Sequence, residues 1–128
     1  YAATHAMQHA YKPLLEALGL TYPQYLVLVA LWGEDGQTVG QLGQALQLES
    51  NTLTPLLKRM EAQGLVLRAR DSRDERQVRV SLSAAGREMQ ARAAGIPGCI
   101  LEKSGMSLAA LTALRDQVNS LRDQLRGG

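Results

Sequence analysis

The 128-residue chain is poor in residues that mark several protein classes: it has one cysteine, one tryptophan and no phenylalanine. Because Cys99 is the only cysteine, no disulfide can form within these residues, which favours a reducing, cytoplasmic setting. No apolar run reaches the roughly 18 residues of a membrane-spanning helix, and nothing resembles a secretory signal. The remaining composition, 45% hydrophobic and 20% charged, predicts a globular protein of one domain without a membrane partner.

The short motifs of common enzyme classes are also missing. The sequence has no HExxH zinc motif, no P-loop, no GxGxxG fingerprint and no recognisable Ser-His-Asp set. His5 and His9 are spaced one helical turn apart and could chelate zinc, but no further cluster of metal-binding residue types follows nearby. We therefore expect no metal, no cofactor and no enzymatic activity, and interpret the two histidines as exposed or interface residues.

The charge distribution says more than the net charge of +2. Between Lys58 and Arg79 the chain carries seven basic and four acidic residues, so this short stretch holds a larger positive excess than the whole chain. A solvated charged face is the ordinary explanation of such a cluster. Nucleic-acid binding is the functional alternative, and the surrounding elements decide between the two.

Hydrophobic periodicity predicts helices through the first half of the chain. The first covers about residues 1–18, and the second begins at Thr21 ahead of Pro23 and ends at Gly33. A short helix capped by Thr38 runs through Leu46.

The next predicted helix is capped by Ser50 or Thr52 and runs to about Gln63. The period then changes to two over residues 65–70 and 77–82, which flank a polar loop and predict a β-hairpin. Beyond it, Ser83 is expected to cap a helix interrupted near Gly95, and Ser107 to open a last helix. The fold class is therefore mainly α with a small hairpin wing.

Two short helices followed by a hairpin form a winged helix-turn-helix, whose second helix enters the major groove of DNA. The predicted DNA-binding residues of that helix lie away from its apolar stripe. Asn51 and Lys58 are on the opposite face, and Thr52, Thr54 and Arg59 flank that face. In the loop we add Arg73 and the pair Asp74 and Arg76, in which Asp74 would orient the Arg76 guanidinium for a minor groove. A simple pairing of these two across a turn is the alternative.

Three stretches carry a family resemblance: Leu53-Thr-Pro-Leu-Leu-Lys-Arg-Met60, Gly64-Leu-Val66 and Asp74-Glu-Arg-Gln-Val-Arg-Val-Ser-Leu-Ser83. They resemble the DNA-binding lobe of the multiple-antibiotic-resistance regulator (MarR) family. The resemblance implies an obligate homodimer that binds a pseudo-palindromic duplex operator and represses it. Residues of about 1–20 and 98–128 would be the dimerisation helices, with the winged-helix lobe at about 21–97. The apolar stripe from Leu108 to Leu125 fits such an interface, although ordinary core packing would also explain it.

The stretch Leu18-Gly-Leu-Thr-Tyr-Pro-Gln-Tyr-Leu-Val27 is similar to the organic-hydroperoxide-sensing branch of that family. In those repressors an organic hydroperoxide oxidises a cysteine near the N-terminus, and tyrosines of the partner subunit hydrogen-bond to it. The resemblance assigns the tyrosine roles to Tyr11 and Tyr22 and places the sensor cysteine shortly before Tyr1, so we expect residues upstream. Cys99 is either a small apolar residue or a resolving thiol, although the family's resolving position aligns near Glu102.

Two other functions stay open. A related regulator could be released by a small phenolic or anionic ligand bound between the dimerisation and DNA-binding parts. A winged helix can also serve as a protein-interaction module that does not bind DNA.

Overall fold

Seven helices and three short strands make up residues 1–127, the part of the chain that the computed structural model describes. Their bounds are α1 (Ala2–Glu16), α2 (Tyr22–Gly33), β1 (Gln37–Thr38), α3 (Val39–Leu46), α4 (Ser50–Ala62), β2 (Val66–Arg70), β3 (Val78–Leu82), α5 (Ala84–Ala93), α6 (Ile96–Ser104) and α7 (Leu108–Gly127). They form two compact units, one covering Tyr1–Ala94 and one beginning at Gly95. The predicted class, mainly helical with a small β wing, is confirmed.

Most helix starts follow the predicted capping chemistry. The Thr21 hydroxyl accepts a hydrogen bond from the Gln24 amide at α2, and Thr38 does the same for Gln41 at α3, each within a capping box. Ser83 caps α5, and the Ser107 hydroxyl accepts from the Ala110 amide at α7.

The predicted cap of α4 is wrong. The helix begins at Ser50, and its N-cap residue is Glu49, whose side chain makes no capping bond. The backbone carbonyl of Glu49 instead accepts the amides of Thr52 and Leu53 at 3.0 and 2.9 Å. Ser50 and Thr52 therefore lie inside the first turn.

The sheet has the order β1-β3-β2 with both pairs antiparallel. The hairpin pairs Val66 with Leu82 and Arg70 with Val78, as the period-two pattern predicts. Strand β1 was not predicted, because two residues are too few to show a period. It pairs with β3 on the side opposite β2 and thereby joins the wing to the start of α3.

The core of the first unit is made by the predicted apolar faces of α2, α3 and α4 together with the inner face of the hairpin. The large side chains with less than 2% exposure are Leu15, Val27, Leu28, Leu31, Leu42, Leu53, Leu57, Met60, Val66 and Val80. This packing fixes α4 by one face, so its opposite face lies in solvent.

The unit that begins at Gly95 contains α6 and the 20-residue helix α7. The chain breaks between α5 and α6 near Gly95, as expected from the Gly-Ile-Pro-Gly sequence. No described residue of α7 is buried, and five of its apolar side chains are between 44% and 76% exposed: Leu108, Leu114, Val118, Leu121 and Leu125. None of the helices in residues 1–127 is long and apolar enough to cross a bilayer.

Candidate nucleic-acid interface

The helix-turn-helix is formed by α3, a tight turn and α4. Gln47 ends α3 in the left-handed conformation, with φ of 58°, and the Leu48 amide bonds back to the Gly43 carbonyl at 3.0 Å. A Cβ added to Gly43 would lie 2.9 Å from the Leu48 carbonyl oxygen, so the turn packs against the helix only because position 43 has no side chain. This turn sets the orientation of α4 relative to α3.

The outer face of α4 carries the predicted DNA-binding residues. Asn51, Thr52, Lys58 and Arg59 are exposed, whereas Thr54 is half-buried. The hydroxyls and the amide lie in the first half of the helix, and the two basic residues follow one to two turns later. Donors and acceptors of this kind can contact base edges and phosphates in a major groove.

Several basic side chains near the wing are occupied within the protein. The Arg68 guanidinium contacts Glu61 at 3.0 Å and holds the pKa of that carboxyl below its usual value. Arg70 donates to the Glu75 carbonyl oxygen at 2.7 Å.

Lys58, Arg59 and Arg73 differ from these, since their side chains make no hydrogen bond or ion pair with the described part of the chain. All three are exposed. They therefore remain available for phosphate groups, whose neutralisation by basic side chains dominates DNA affinity.

The wing tip is a closed turn that presents Arg76. Asp74 accepts three hydrogen bonds from Arg76: from the backbone amide and Nε at 3.1 Å, and from Nη2 at 3.2 Å. These bonds lower the pKa of the Asp74 carboxyl. The Arg76 side chain nevertheless stays 90% exposed. Its guanidinium is thus held by Asp74 while most of its surface remains in solvent. The pairing is confirmed, and insertion into a minor groove stays a prediction.

A cleft lies between the wing and α4, the second helix of the helix-turn-helix. It has a volume of about 300 Å³ and is lined by Thr54 of α4, by Thr38, Val39 and Gly40 at the start of α3, and by Arg76, Gln77 and Val78 of the wing. Thr54 and Arg76, which were selected from different elements, thus share one concave surface.

The base of the wing is braced by residues that sequence reasoning missed. Arg79 of β3 donates through Nη1 to the Gly36 carbonyl and contacts the Asp71 carboxylate at 3.4 Å. Asp35 accepts the Leu82 amide at 2.8 Å and pairs with Arg87 of α5 at 3.5 Å. The signal in the sequence was only an acidic turn residue followed by glycine, which many turns share.

Three of the four tyrosines, Tyr11, Tyr22 and Tyr25, form a cluster between α1 and the start of α2. The Tyr11 ring centroid lies 5.1 Å from that of Tyr22 and 5.9 Å from that of Tyr25. Tyr25 is buried, whereas Tyr11 and Tyr22 are half-buried. Burial raises the pKa of the Tyr11 and Tyr22 hydroxyls from the usual value, which favours the neutral phenols.

Beside this cluster is an open cleft of about 360 Å³. Its floor includes the buried side chains of Leu15 and Leu20, and its walls include His5, Gln8, His9, Lys12, Glu16, Thr21 and Tyr22. The His5 and His9 rings stack at 6.1 Å. No group of three or more His, Cys, Asp or Glu side chains in residues 1–127 is placed to hold a metal ion.

Cys99 lies in α6, in the second unit, and is exposed. Both interpretations of Cys99, a small apolar residue and a resolving thiol, stay predictions. Glu102, the position to which the family's resolving thiol aligns, follows one turn later on the same helix.

The helix-turn-helix, its exposed α4 face and the three-stranded wing define a winged-helix DNA-binding protein. Residues 9–92 match the family model described as transcriptional regulator SarA/Rot. The organic hydroperoxide resistance transcriptional regulator of Bacillus subtilis (strain 168) is 46% identical over 125 residues, covering 98% of this chain and 85% of that protein. The chain therefore belongs to the winged-helix transcriptional regulators of the MarR and SarA type, which confirms the resemblance seen in the sequence.

Two further similarities add to this finding. The HTH-type transcriptional regulator TtmR of Methylorubrum extorquens (strain PA1) is 50% identical over 125 residues, which cover 98% of this chain but 64% of TtmR. The chain thus spans less than two thirds of the length of that relative. Among solved structures, reduced AbfR of Staphylococcus epidermidis bound to DNA matches with a TM-score of 0.79 and 34% identity, covering 98% of this chain and 88% of AbfR.

Proposed function

We propose that the protein is a dimeric repressor that senses organic hydroperoxides through a cysteine shortly before Tyr1 and then releases its operator. The observation that carries the proposal is the contact between Tyr11 and Tyr22, whose rings lie 5.1 Å apart in a chain 46% identical to a hydroperoxide resistance regulator. Two neutral phenols at this position can donate hydrogen bonds to a thiolate and stabilise it.

The chemical step is a two-electron oxidation of that cysteine. The thiolate sulfur attacks the terminal peroxide oxygen, the O–O bond breaks, and the alcohol leaves after taking up a proton. The sulfur becomes a sulfenic acid, which a second thiol converts to a disulfide with loss of water. Cys99, exposed on α6, is the candidate for that second thiol.

DNA binding rests on the two surfaces of the first unit. In the proposed complex α4 lies in the major groove, with Asn51, Thr52 and Thr54 near the bases and Lys58 and Arg59 near phosphates. Arg76 enters the adjacent minor groove in the direction fixed by Asp74, and Arg73 contacts the backbone.

Dimerisation rests on the exposed apolar stripe of α7. A long helix with five exposed leucine and valine side chains gains stability by burying them against a second copy. Helices at about 1–20 and 98–128 would form this dimer, and a two-fold axis would match a pseudo-palindromic operator.

The sensing experiment uses the full-length protein with its upstream residues. Cumene hydroperoxide should lower operator affinity in a fluorescence anisotropy titration, and dithiothreitol should restore it. Serine in place of the upstream cysteine should abolish the response, and Tyr11→Phe with Tyr22→Phe should slow it. An unchanged binding curve after oxidant treatment of the wild type would rule out the redox function.

The DNA-binding experiment compares Arg76→Ala with Arg115→Ala. Both changes remove an exposed arginine with an aspartate partner at 3.1 Å, but Arg115 lies on α7. Arg76→Ala should weaken operator binding by about tenfold or more and reduce its salt dependence, whereas Arg115→Ala should leave both unchanged. Equal affinities of the two variants across salt concentrations would contradict insertion of Arg76 into the groove.

A second candidate is release by a small phenolic or anionic ligand. The cleft beside α1 favours it, since an apolar floor of Leu15 and Leu20 is bordered by His9 and Lys12. Salicylate is a suitable probe: if it displaces operator DNA from a variant lacking both cysteines, and Lys12→Ala removes the effect, this candidate replaces the redox mechanism.

A further inference from the structure

Three polar side chains are buried in the described part of the chain: Gln24, Gln37 and Thr38. Gln37 donates to the carbonyls of Ala30 and Glu34 at the end of its neighbouring helix, and Thr38 caps α3. Their hydrogen bonds are local. Gln24 differs, because its side chain reaches a residue 39 positions away.

The Gln24 side chain joins the first turn of α2 to Gln63, the residue that follows α4. Its Oε1 accepts the Thr21 amide at 3.1 Å, which leaves Nε2 as the outward-facing donor. That Nε2 donates to Oε1 of Gln63 at 3.0 Å. Gln63 is the C-cap of α4, and its own amide bonds to the Arg59 carbonyl at 3.0 Å.

The same turn of α2 carries Tyr22. Tyr22 is the first residue of α2 and contacts Tyr11, while Gln24 is two positions later in that turn. A displacement of Tyr22 would therefore move the Gln24 amide, and the bond to Gln63 would carry the movement to the end of α4. The turn that receives it carries Arg59, one of the exposed basic residues of α4.

We infer that the Gln24–Gln63 hydrogen bond is the positioning contact that couples the tyrosine cluster to α4. This inference rests on the proposed function, in which the tyrosine cluster is the sensing site. Both helices also contribute buried apolar side chains to the core, including Leu28 of α2 and Leu57 of α4. The bond between the two glutamine side chains differs from apolar packing in that hydrogen bonds are directional.

The test is a double-mutant cycle read as operator affinity of the reduced, full-length protein without oxidant. Tyr22→Leu should change the operator Kd by about threefold or more, a range set by the free energy of the one Gln24–Gln63 hydrogen bond through which the effect would pass. In a Gln63→Leu background the same substitution should change the Kd by less than about 1.5-fold, because the connection is absent. An equal fold-change in both backgrounds, or no effect of Tyr22→Leu alone, would overturn the inference.

Matched variants separate coupling from general destabilisation. Gln63→Glu keeps an acceptor oxygen for Gln24 Nε2 and should preserve the coupling. Gln90→Leu makes the same chemical change as Gln63→Leu but on α5, and it should also leave the coupling intact. Gln63 is exposed, so its replacement should leave the near-ultraviolet circular dichroism unchanged. If Tyr22→Leu fails to fold, Tyr22→Phe repeats the cycle with the ring retained.

The hydroperoxide response distinguishes the two proposals. If oxidant releases the wild type from DNA but the cycle is additive, the sensing function stands and the coupling contact is wrong. If the cycle shows coupling but oxidant has no effect, the contact stands and hydroperoxide sensing is wrong.

Discussion

Replacing Gly86 by alanine should destabilise the first unit, although alanine favours helices. Gly86 is the third residue of α5, and an ideal Cβ there would lie 2.2 Å from the Leu65 carbonyl oxygen and 3.2 Å from Leu82 Cδ2. The same residue accepts the Trp32 indole N–H at 2.9 Å and donates its amide to Ser83 Oγ at 3.0 Å. The start of α5 is therefore held from three directions.

The magnitude follows from the displacement that the new methyl group requires. Restoring an ordinary carbon–oxygen contact moves α5 by about 1 Å, an overpacking change of the kind that costs about 1–3 kcal/mol. The movement lengthens the Trp32 and Ser83 hydrogen bonds, worth about 1 kcal/mol each. Subtracting about 1 kcal/mol for the better helix propensity of alanine leaves a net loss of about 2–4 kcal/mol.

The assay is thermal and urea unfolding at a fixed protomer concentration, since the proposed dimerisation would make the midpoint concentration-dependent. Trp32 is the only tryptophan, so its fluorescence reports directly on the affected contact. We expect the thermal midpoint to fall by roughly 5–15 °C.

A control with the same chemical change is Gly40→Ala in α3. The nearest atom to its Cβ would be Thr38 Oγ1 at 3.9 Å, an ordinary contact, so the substitution should raise stability by up to about 1 kcal/mol. A Gly86→Ala protein as stable as the wild type would refute the close-approach reasoning.

Three further predictions concern the dimer, acid stability and the phosphate contacts. Leu121→Glu should convert the proposed dimer to a monomer in size-exclusion chromatography with light scattering, because it places a charge in the apolar stripe of α7. Because Arg68 lowers the folded-state pKa of Glu61, the stabilisation is present above the usual value of 4.5 and is lost as pH falls through the folded pKa. Glu61→Gln should therefore be less stable than the wild type in urea at pH 7, and the difference should shrink as the pH is lowered below 4.5. Lys58→Ala should weaken binding to all duplexes alike, and the slope of log K against log salt should fall by about 0.9 for each phosphate that the variant no longer neutralises.

The sequence predicted the elements whose residues repeat over several turns. The apolar stripe of α4 and the alternation of the hairpin are both long enough to show their period, and the structure confirms them. The helix starts predicted at Thr21, Thr38, Ser83 and Ser107 were also found. The cap of α4 was missed because Glu49 supplies its backbone carbonyl, and a backbone group leaves no mark in the sequence.

The long-range polar contacts could not be predicted for a different reason. Asp35 bonds to Leu82 and Gln24 to Gln63 across 47 and 39 positions, so each contact depends on how the helices pack. No local pattern encodes such a distance. By contrast, Asp74 and Arg76 lie two positions apart, so their pairing was accessible to sequence reasoning, whereas their contact with DNA stays a prediction.

The three-stranded sheet holds the wing independently of its tip, residues 72–76. β3 is paired with a strand on each side, and the Asp71 amide closes the hairpin by donating to the Gln77 carbonyl at 2.8 Å. Residues 72–76 therefore lie outside the paired part of the sheet. If Arg73 and Arg76 contact DNA as proposed, exchange of these five residues would change the operator preference, while the paired strands below them keep their register.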